Sequence, residues 1–351
     1  MPILLALLPA AARLLPESRP RPGQPWDVPS ALLSIFGILA LAFGLKEAGT
    51  GHPAGASCSW RPGAADLVHT QAAAARPPLL DLDLFRRRAF TVGVIAVLLT
   101  VFALVGLQLM LAQYLQLVLG DSPPGAAVRM LPLMVASVAG GLAGAHLLSR
   151  FGLRATMGGG LALTASSLAP TLSWGTERHS VGLALCFVGI GFGIQVALLA
   201  ASDTIMSSTS ESRAGGAAAI EETAYELGAG LGVAVLGTIT AAVYAPSLPS
   251  VAGVAAGPMA QARESLAAAA HVAGEIGGAA GAELLARARV AFVAGLHSTI
   301  VVSVLLLGAT AAAVAFLVPR GRRSPGPVPA GPPRHGRDRH LPLTAVQTNP
   351  E

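Results

Sequence analysis

The sequence predicts an all-α, polytopic membrane protein, and three observations carry that prediction. Of 351 residues, 53% are hydrophobic and only 12% are charged, with a mean hydropathy of +0.64; soluble domains carry about 25% charge. The apolar residues are gathered into runs matching the roughly 20 residues that a helix needs to cross the hydrocarbon core. In lipid each backbone N–H and C=O must be satisfied within its own segment, so such runs fold as helices.

Taken in order, the chain opens with an apolar stretch, Ile3 to Leu15, interrupted by Pro9 and Arg13. It is too short to cross and lacks the leading charged region of a signal peptide. Residues 1–28 therefore read as the end of a helix followed by a cytoplasmic linker. Seven spans of about helical length are expected: 29–46, 90–119, 126–149, 153–173, 180–204, 214–244 and 290–318. Residues 47–89 are polar and rich in Gly and Pro, and the five spans within 90–244 form a continuous bundle. Between the last two spans, 245–289 is Ala- and Gly-rich with scattered Arg, Glu and His, suited to short surface helices. After the final span the tail 319–351 carries the Pro, Gly and Arg composition of disorder.

Basic clusters orient the spans, because Lys and Arg resist translocation. With Arg86, Arg87 and Arg88 in the cytoplasm, Arg150, Arg154, Arg213 and the tail also fall inside, and 245–289 falls outside. Localisation is thus expected in the cytoplasmic membrane, as a multi-pass protein with the lipid bilayer as its surroundings. The span 29–46 breaks the pattern, since Arg13, Arg19 and Arg21 precede it and the triple Arg cluster follows. Either a helix is missing within 48–78, or 29–46 lies flat or re-enters.

Several functions are excluded. The net charge of +5 is not collected on a face with interleaved aromatics, so no nucleic-acid partner is expected. Cys58 and Cys186 show no metal-ligand spacing, and no metal is expected. Neither HExxH nor a nucleophile elbow occurs, so the chain does not read as an enzyme. Gly140 with Gly144, Gly189 with Gly193, and Gly228 with Gly232 have the GxxxG spacing of close helix contacts in lipid.

The stretch AAAIEETAYELGAGLGVAVLG places Glu221, Glu222 and Glu226 inside an almost wholly apolar run. If the span starts after Arg213, Glu221 lies roughly 12 Å and Glu226 roughly 20 Å along it. A charge near mid-bilayer costs about 2.5–3.5 kcal/mol on insertion scales, so such residues are seldom kept without use. Glu222 and Glu226 share one helix face, Glu221 and Tyr225 the neighbouring one. Clustered carboxylates sheltered from water can hold protons or a cation in turn, and Tyr225 adds a cation–π surface. A second arrangement also fits: Leu227 to Tyr244 could span unaided, leaving all three glutamates at the cytoplasmic interface near a helix N-terminus.

Other polar groups are fewer. Gln108 and Gln113, with Tyr114 and Gln116, could line a cavity, and interfacial anchoring explains the last two equally well. Asp203 reads as an interface residue, His146 and Gln195 as packing or interhelical hydrogen-bonding groups.

On these residues the chain resembles the major facilitator superfamily, and within it the fourteen-span drug:proton antiporters of the EmrB/QacA type. LLDLDLFRRRAF and LAQYLQLVLGDSP are similar to the entry and exit of that family's ninth span, and HLLSRFGLRAT to its basic cytoplasmic hairpin. AGGAAAIEETAYELGAGLGVAVLGT is similar to the thirteenth span of the quaternary-ammonium efflux branch. RLLPESRPRPG and the helix after it are similar to the sixth-to-seventh connection and seventh span, so the resemblance covers the C-terminal half of a family member. It implies the C-terminal helical bundle of a facilitator transporter, with substrate held between two such bundles.

The resulting expectation is a proton-coupled multidrug efflux antiporter of lipophilic cations, a truncated member, with Glu221, Glu222 and Glu226 handling protons and cations. Tyr225, Gln108 and Gln113 are candidates for the substrate cavity, and Arg150 and Arg154 for gating at the cytoplasmic loop. No cofactor beyond the proton motive force is implied; partners are cationic drugs or dyes and a polypeptide supplying the other helical bundle. The competing expectation is a non-transporting remnant or accessory subunit that needs such a partner.

Overall fold

A computed structural model describes residues 82–177, 180–210 and 213–317. The expectations for 1–28, 29–46, most of 47–89, Cys58 and the tail 319–351 lie outside the described residues. Within them every regular element is a helix and no strand is present, as an all-α membrane protein requires.

A 3-10 turn, Leu82–Arg86, leads into α1, Arg88–Gln113, which continues as a π turn over Tyr114–Val118 and stops at Gly120 with φ +72°. Helix α2, Pro123–Phe151, starts with a serine cap: the Ser122 hydroxyl accepts from the Gly125 amide at 3.3 Å, and two prolines occupy the first turn, where no amide donor is needed. It ends at Gly152, whose φ of +78° reverses the chain in a single residue and sends it straight into α3, Leu153–Leu168. Helix α4 is Ser180–Ser207 and α5 is Ala214–Ser247. Two short helices follow, α6 at Ala256–Ala262 and α7 at Leu266–Ile276, before α8, Gly278–Leu317.

Two boundaries differ from the sequence expectation. The stretch read as one span over 153–173 is α-helical for 16 residues, and Pro170 then turns Ala169–Ser173 into a 3-10 segment. Five helices are long and apolar enough to cross a membrane, α1 with its π turn, α2, α4, α5 and α8, and α3 falls short of that length. The last helix begins twelve residues before 290, at Gly278, whose φ is 59° and which follows Gly277 with a φ of 63°. Its first turns carry Glu283, Arg287 and Arg289, polar enough to hide a helix from a hydropathy reading.

Successive long helices run in opposite directions, so the molecule has a basic end and a loop end. At the basic end Arg87 donates to the Ser208 carbonyl, joining the start of α1 to the end of α4. At the loop end Arg129 donates to Ser180 Oγ at 3.3 Å, joining the starts of α2 and α4, and ion-pairs with Asp121 at 2.7 Å. There α6 and α7 cap the bundle: Tyr244 donates to the Ala262 carbonyl at 2.8 Å, Arg287 to the Ser250 carbonyl at 3.3 Å.

Helices α1 and α4 form the heart, each 56% buried over its most apolar window, against 22% for α2 and 28% for α5. Helix α5 packs on α1, and α2 on α4; α3 and α8 close the back. Since lipid tails are as apolar as the helices, these contacts depend on close approach more than on hydrophobic exclusion. All three GxxxG pairs serve them. A methyl group on Gly228 would stand 2.5 Å from the Leu98 carbonyl oxygen, one on Gly140 2.7 Å from that of Phe192, and one on Gly193 2.6 Å from Thr164 Oγ1. Gln195 is a packing residue here, with its Cγ 3.6 Å from where a methyl on Gly141 would be.

Candidate functional site

The acidic residues sit on α5, and its packing stripe fixes where they point. Ala217, Ile220, Ala224, Gly228, Gly232, Leu236, Thr240 and Tyr244 are buried, a four-residue repeat of mostly small side chains laid against α1 and α8. At about 100° per residue, Glu222 and Glu226 lie about 160° from Ala224 on either side, opposite that stripe. Both are exposed, and Glu221, on the flank, is half-buried. Tyr225 is 38% exposed. Two carboxylates one turn apart thus share the face of α5 that no other described helix covers, together with Gly215, Ala218, Ala219 and Gly230.

Their depth follows from the helix contacts. Gly228 lies against Leu98 and Gly232 against Phe102, so Glu226 is level with the second or third turn of α1, about 18 Å along α5 from Ala214. Gly215 to Ile220 precede the glutamates within the same helix.

The two glutamines of α1 part company. Gln113 is half-buried on the open side of α1, in line with the exposed Ile95 and Leu109. It is about fifteen residues, roughly 22 Å, further along the axis than the level of Glu226. Gln108 points the other way, into a cleft inside the bundle lined by Leu111, Leu133, Thr164, Ile190 and Ile194. The structure therefore brings Glu222 and Glu226 together, with Glu221 and Tyr225 beside them, and neither glutamine joins the group.

Arg150 and Arg154 flank the one-residue turn at Gly152. Arg150 is exposed with its guanidinium 5.7 Å from the centre of the Phe151 ring, and Arg154 is half-buried. Asp203 and His146 are exposed, and Cys186 is a buried free thiol. No cluster of three metal-ligating side chains occurs among the described residues.

One polar group escaped the sequence reading. His297 lies in α8, deep within an apolar run, and its Nε2 is 2.8 Å from the Trp174 carbonyl oxygen. A lone ionisable residue in a span is itself a signal; the conspicuous glutamate triplet drew notice where a single histidine did not.

Comparison with known proteins bears on what this bundle belongs to. The family model described as Major Facilitator Superfamily matches residues 1–233, a stretch that runs from the start of the chain through all three glutamates. Multidrug efflux pump LfrA of Mycolicibacterium smegmatis is 37% identical over 319 residues, covering 90% of this chain and 63% of the relative. Methyl viologen resistance protein SmvA of Salmonella typhimurium is 37% identical over 301 residues, covering 84% and 60% respectively. The probable actinorhodin transporter of Streptomyces coelicolor is 34% identical over 254 residues, covering 68% and 43%. This chain spans about three fifths of the length of the first two relatives. The helical bundle, its membrane-spanning composition and the extent of the family match lead to one assignment: the chain belongs to the Major Facilitator Superfamily, a family of multi-pass membrane transporters and not of enzymes.

Proposed function

We propose that the chain acts in proton-coupled export of lipophilic organic cations across the cytoplasmic membrane, as the glutamate-bearing helical bundle of a fourteen-span drug:proton antiporter of the EmrB/QacA type. The observation that carries this reading is the pair Glu222 and Glu226, one turn apart within a helix long and apolar enough to cross a membrane, on a face that the rest of the described bundle leaves open. A carboxylate there exchanges a proton for a cation at low cost, because either ligand removes the charge that lipid disfavours. Tyr225 beside them offers an aromatic face to an organic cation. The names of two relatives agree with this chemistry. One is a multidrug efflux pump, and the other confers resistance to methyl viologen, a flat organic dication.

In this mechanism the cation enters from the cytoplasm and displaces protons from Glu222 and Glu226. Rocking against a second bundle turns the face outward, and protons returning from the outer side release the cation. Arg150 and Arg154, on the short turn between α2 and α3, would hold the inward-closed arrangement.

Efflux of methyl viologen or ethidium from cells lacking their own exporters tests this. Expression of the chain together with a polypeptide that supplies the second helical bundle should lower dye accumulation in a manner abolished by a protonophore, and Glu226→Gln or Glu222→Gln should remove the effect. Efflux that survives both substitutions would refute the role of the glutamates. Dye accumulation no lower than in the Glu226→Gln control, with the second bundle present, would favour the non-transporting remnant instead.

A further inference from the structure

The geometry at the loop end points to a second proton-binding site: we propose that His297 takes up a proton on Nδ1 from that end of the molecule and, by doing so, repacks the apolar pocket around Trp174. The site is remote from the glutamates, which lie towards the basic end of α5.

Two successive carbonyls carry the argument. The Trp174 oxygen accepts from His297 Nε2 at 2.8 Å, and the Gly175 oxygen accepts from Tyr114 Oη at 2.9 Å. Neither carbonyl belongs to an α-helix, so two side chains, one from α8 and one at the end of α1, pin the connection between α3 and α4. The Trp174 ring is in turn laid on α4, where a methyl on Gly182 would come within 2.8 Å of its Cζ2. Tyr114 begins the π turn of α1, and such turns recur where a helix is shaped for use.

A carbonyl oxygen only accepts, so the contact places a hydrogen on Nε2 and makes Nδ1 the vacant basic atom of the neutral ring. Nδ1 has no partner among the described residues. The pocket that holds the ring is walled by Leu111, Leu183, Val293, Leu296 and Ile300, with Tyr114 and Trp174.

The facing groups do not neutralise an added charge. From α1 comes Tyr114, already committed to Gly175. The 3-10 turn contributes Thr171, bonded to the Leu168 carbonyl, and α4 contributes Leu183, with Cys186 one turn on. From α8 itself, Arg289 lies two turns away and donates to the Leu117 carbonyl at 2.9 Å. Asp121 is ion-paired to Arg129, and Glu177 is exposed. No described carboxylate lines the pocket. An imidazolium there keeps its Nε2–H on the Trp174 carbonyl, in a bond its charge strengthens, and must draw water to the new Nδ1–H, which displaces the apolar walls beside the Trp174 ring.

The inference rests on the proposed orientation and function only for its use: with the basic end cytoplasmic, His297 would sense the outer pH when protons return. Its test does not need transport. In the full chain, Trp26 and Trp60 are replaced by Phe, leaving Trp174 as the single indole, and its fluorescence is followed over about pH 5 to 8, the range in which histidines change charge. The expected result is a transition that His297→Gln abolishes and Tyr114→Phe retains. Glutamine keeps an N–H donor for Trp174 without titrating; His297→Asn serves if Gln prevents folding, judged by size-exclusion elution. A flat trace in the parent, or the same transition in the variant, overturns the proposal. A parent that titrates yet never exports a dye leaves this site standing and defeats the exporter reading.

Discussion

The crossing of α5 over α1 leaves no space for a methyl group, and substituting Gly232 measures what that closeness is worth. A Cβ on Gly232 would run into the Phe102 carbonyl oxygen and sit 2.9 Å from its carbon and 3.0 Å from Phe102 Cα. From the other side, a Cβ on Gly106 would stand 2.6 Å from the Gly232 oxygen. All of these are backbone atoms of helices, so no rotamer can give way. Carbon contacts relax only at about 3.5–4.0 Å, which requires α1 and α5 to part by roughly 1 Å. Overpacking of this kind costs about 1–3 kcal/mol. Alanine also gains about 1 kcal/mol over glycine in helix propensity, and Gly230 supplies the control. It is two residues away in the same helix with nothing within 4 Å of its hypothetical Cβ. The difference between Gly232→Ala and Gly230→Ala therefore isolates the strain. At about 2–4 °C per kcal/mol for a domain of this size, scanning fluorimetry of the detergent-solubilised protein should place Gly232→Ala roughly 2–12 °C below Gly230→Ala. Equal midpoints for the two variants would show that the helices are not in contact there.

Tyr244→Phe removes the donor to the buried Ala262 carbonyl and should cost about 1–3 kcal/mol; amide hydrogen exchange should quicken in α6 and α7 and stay unchanged in α4. Arg129→Ala strips the cation from Asp121, whose side chain is 9% exposed, and should lower stability by about 1–3 kcal/mol. Adding Asp121→Asn to that variant should recover part of the loss, and a double variant no better than the single would show that the pair is not coupled.

The helical class and most of the span positions were legible because lipid enforces a simple code. Runs such as Arg88–Gln113 and Ser180–Ser207 contain almost nothing but apolar residues, and the bilayer allows them one regular structure. The orientation of the glutamates was legible as well, since helical periodicity puts Glu222 and Glu226 on one face before any partner is known. What stayed hidden depended on contacts. Hydropathy cannot see that Gln108 and Gln113, both polar and five apart, diverge into the bundle and onto its open side. It equally missed the early start of α8, whose first turns bear the Glu283–Arg287 pair at its exposed surface. The end of α3 was written in Pro170, yet Leu172 and Trp174 nearby extend the apolar run and mask it.

The two tight crossings are related to one another, and the relation gives the acidic face its meaning. Gly232 of α5 rests on Phe102 of α1, and Gly140 of α2 rests on Phe192 of α4. Helix α1 packs on α5 as α4 packs on α2, and α3 and α8 meet behind them; the pairing is that of two three-helix units of opposite direction, an inverted repeat. Placing Gly232 over Gly140 sets Glu226 over Met134, Glu222 over Met130 and Glu221 over Arg129. Because the units are inverted, these matched positions fall at opposite ends of the bundle. One unit carries carboxylates near the basic end, on an open face. The other carries Met130, Met134 and an arginine that is locked to Asp121 and Ser180. A backbone repeat alone would treat both ends of the bundle alike. The side chains break that equivalence, leaving the basic end with exposed carboxylates on an open face and the loop end with a tied connection. The proposed export cycle, which loads on one side and releases on the other, would use such an asymmetry written onto a symmetric frame.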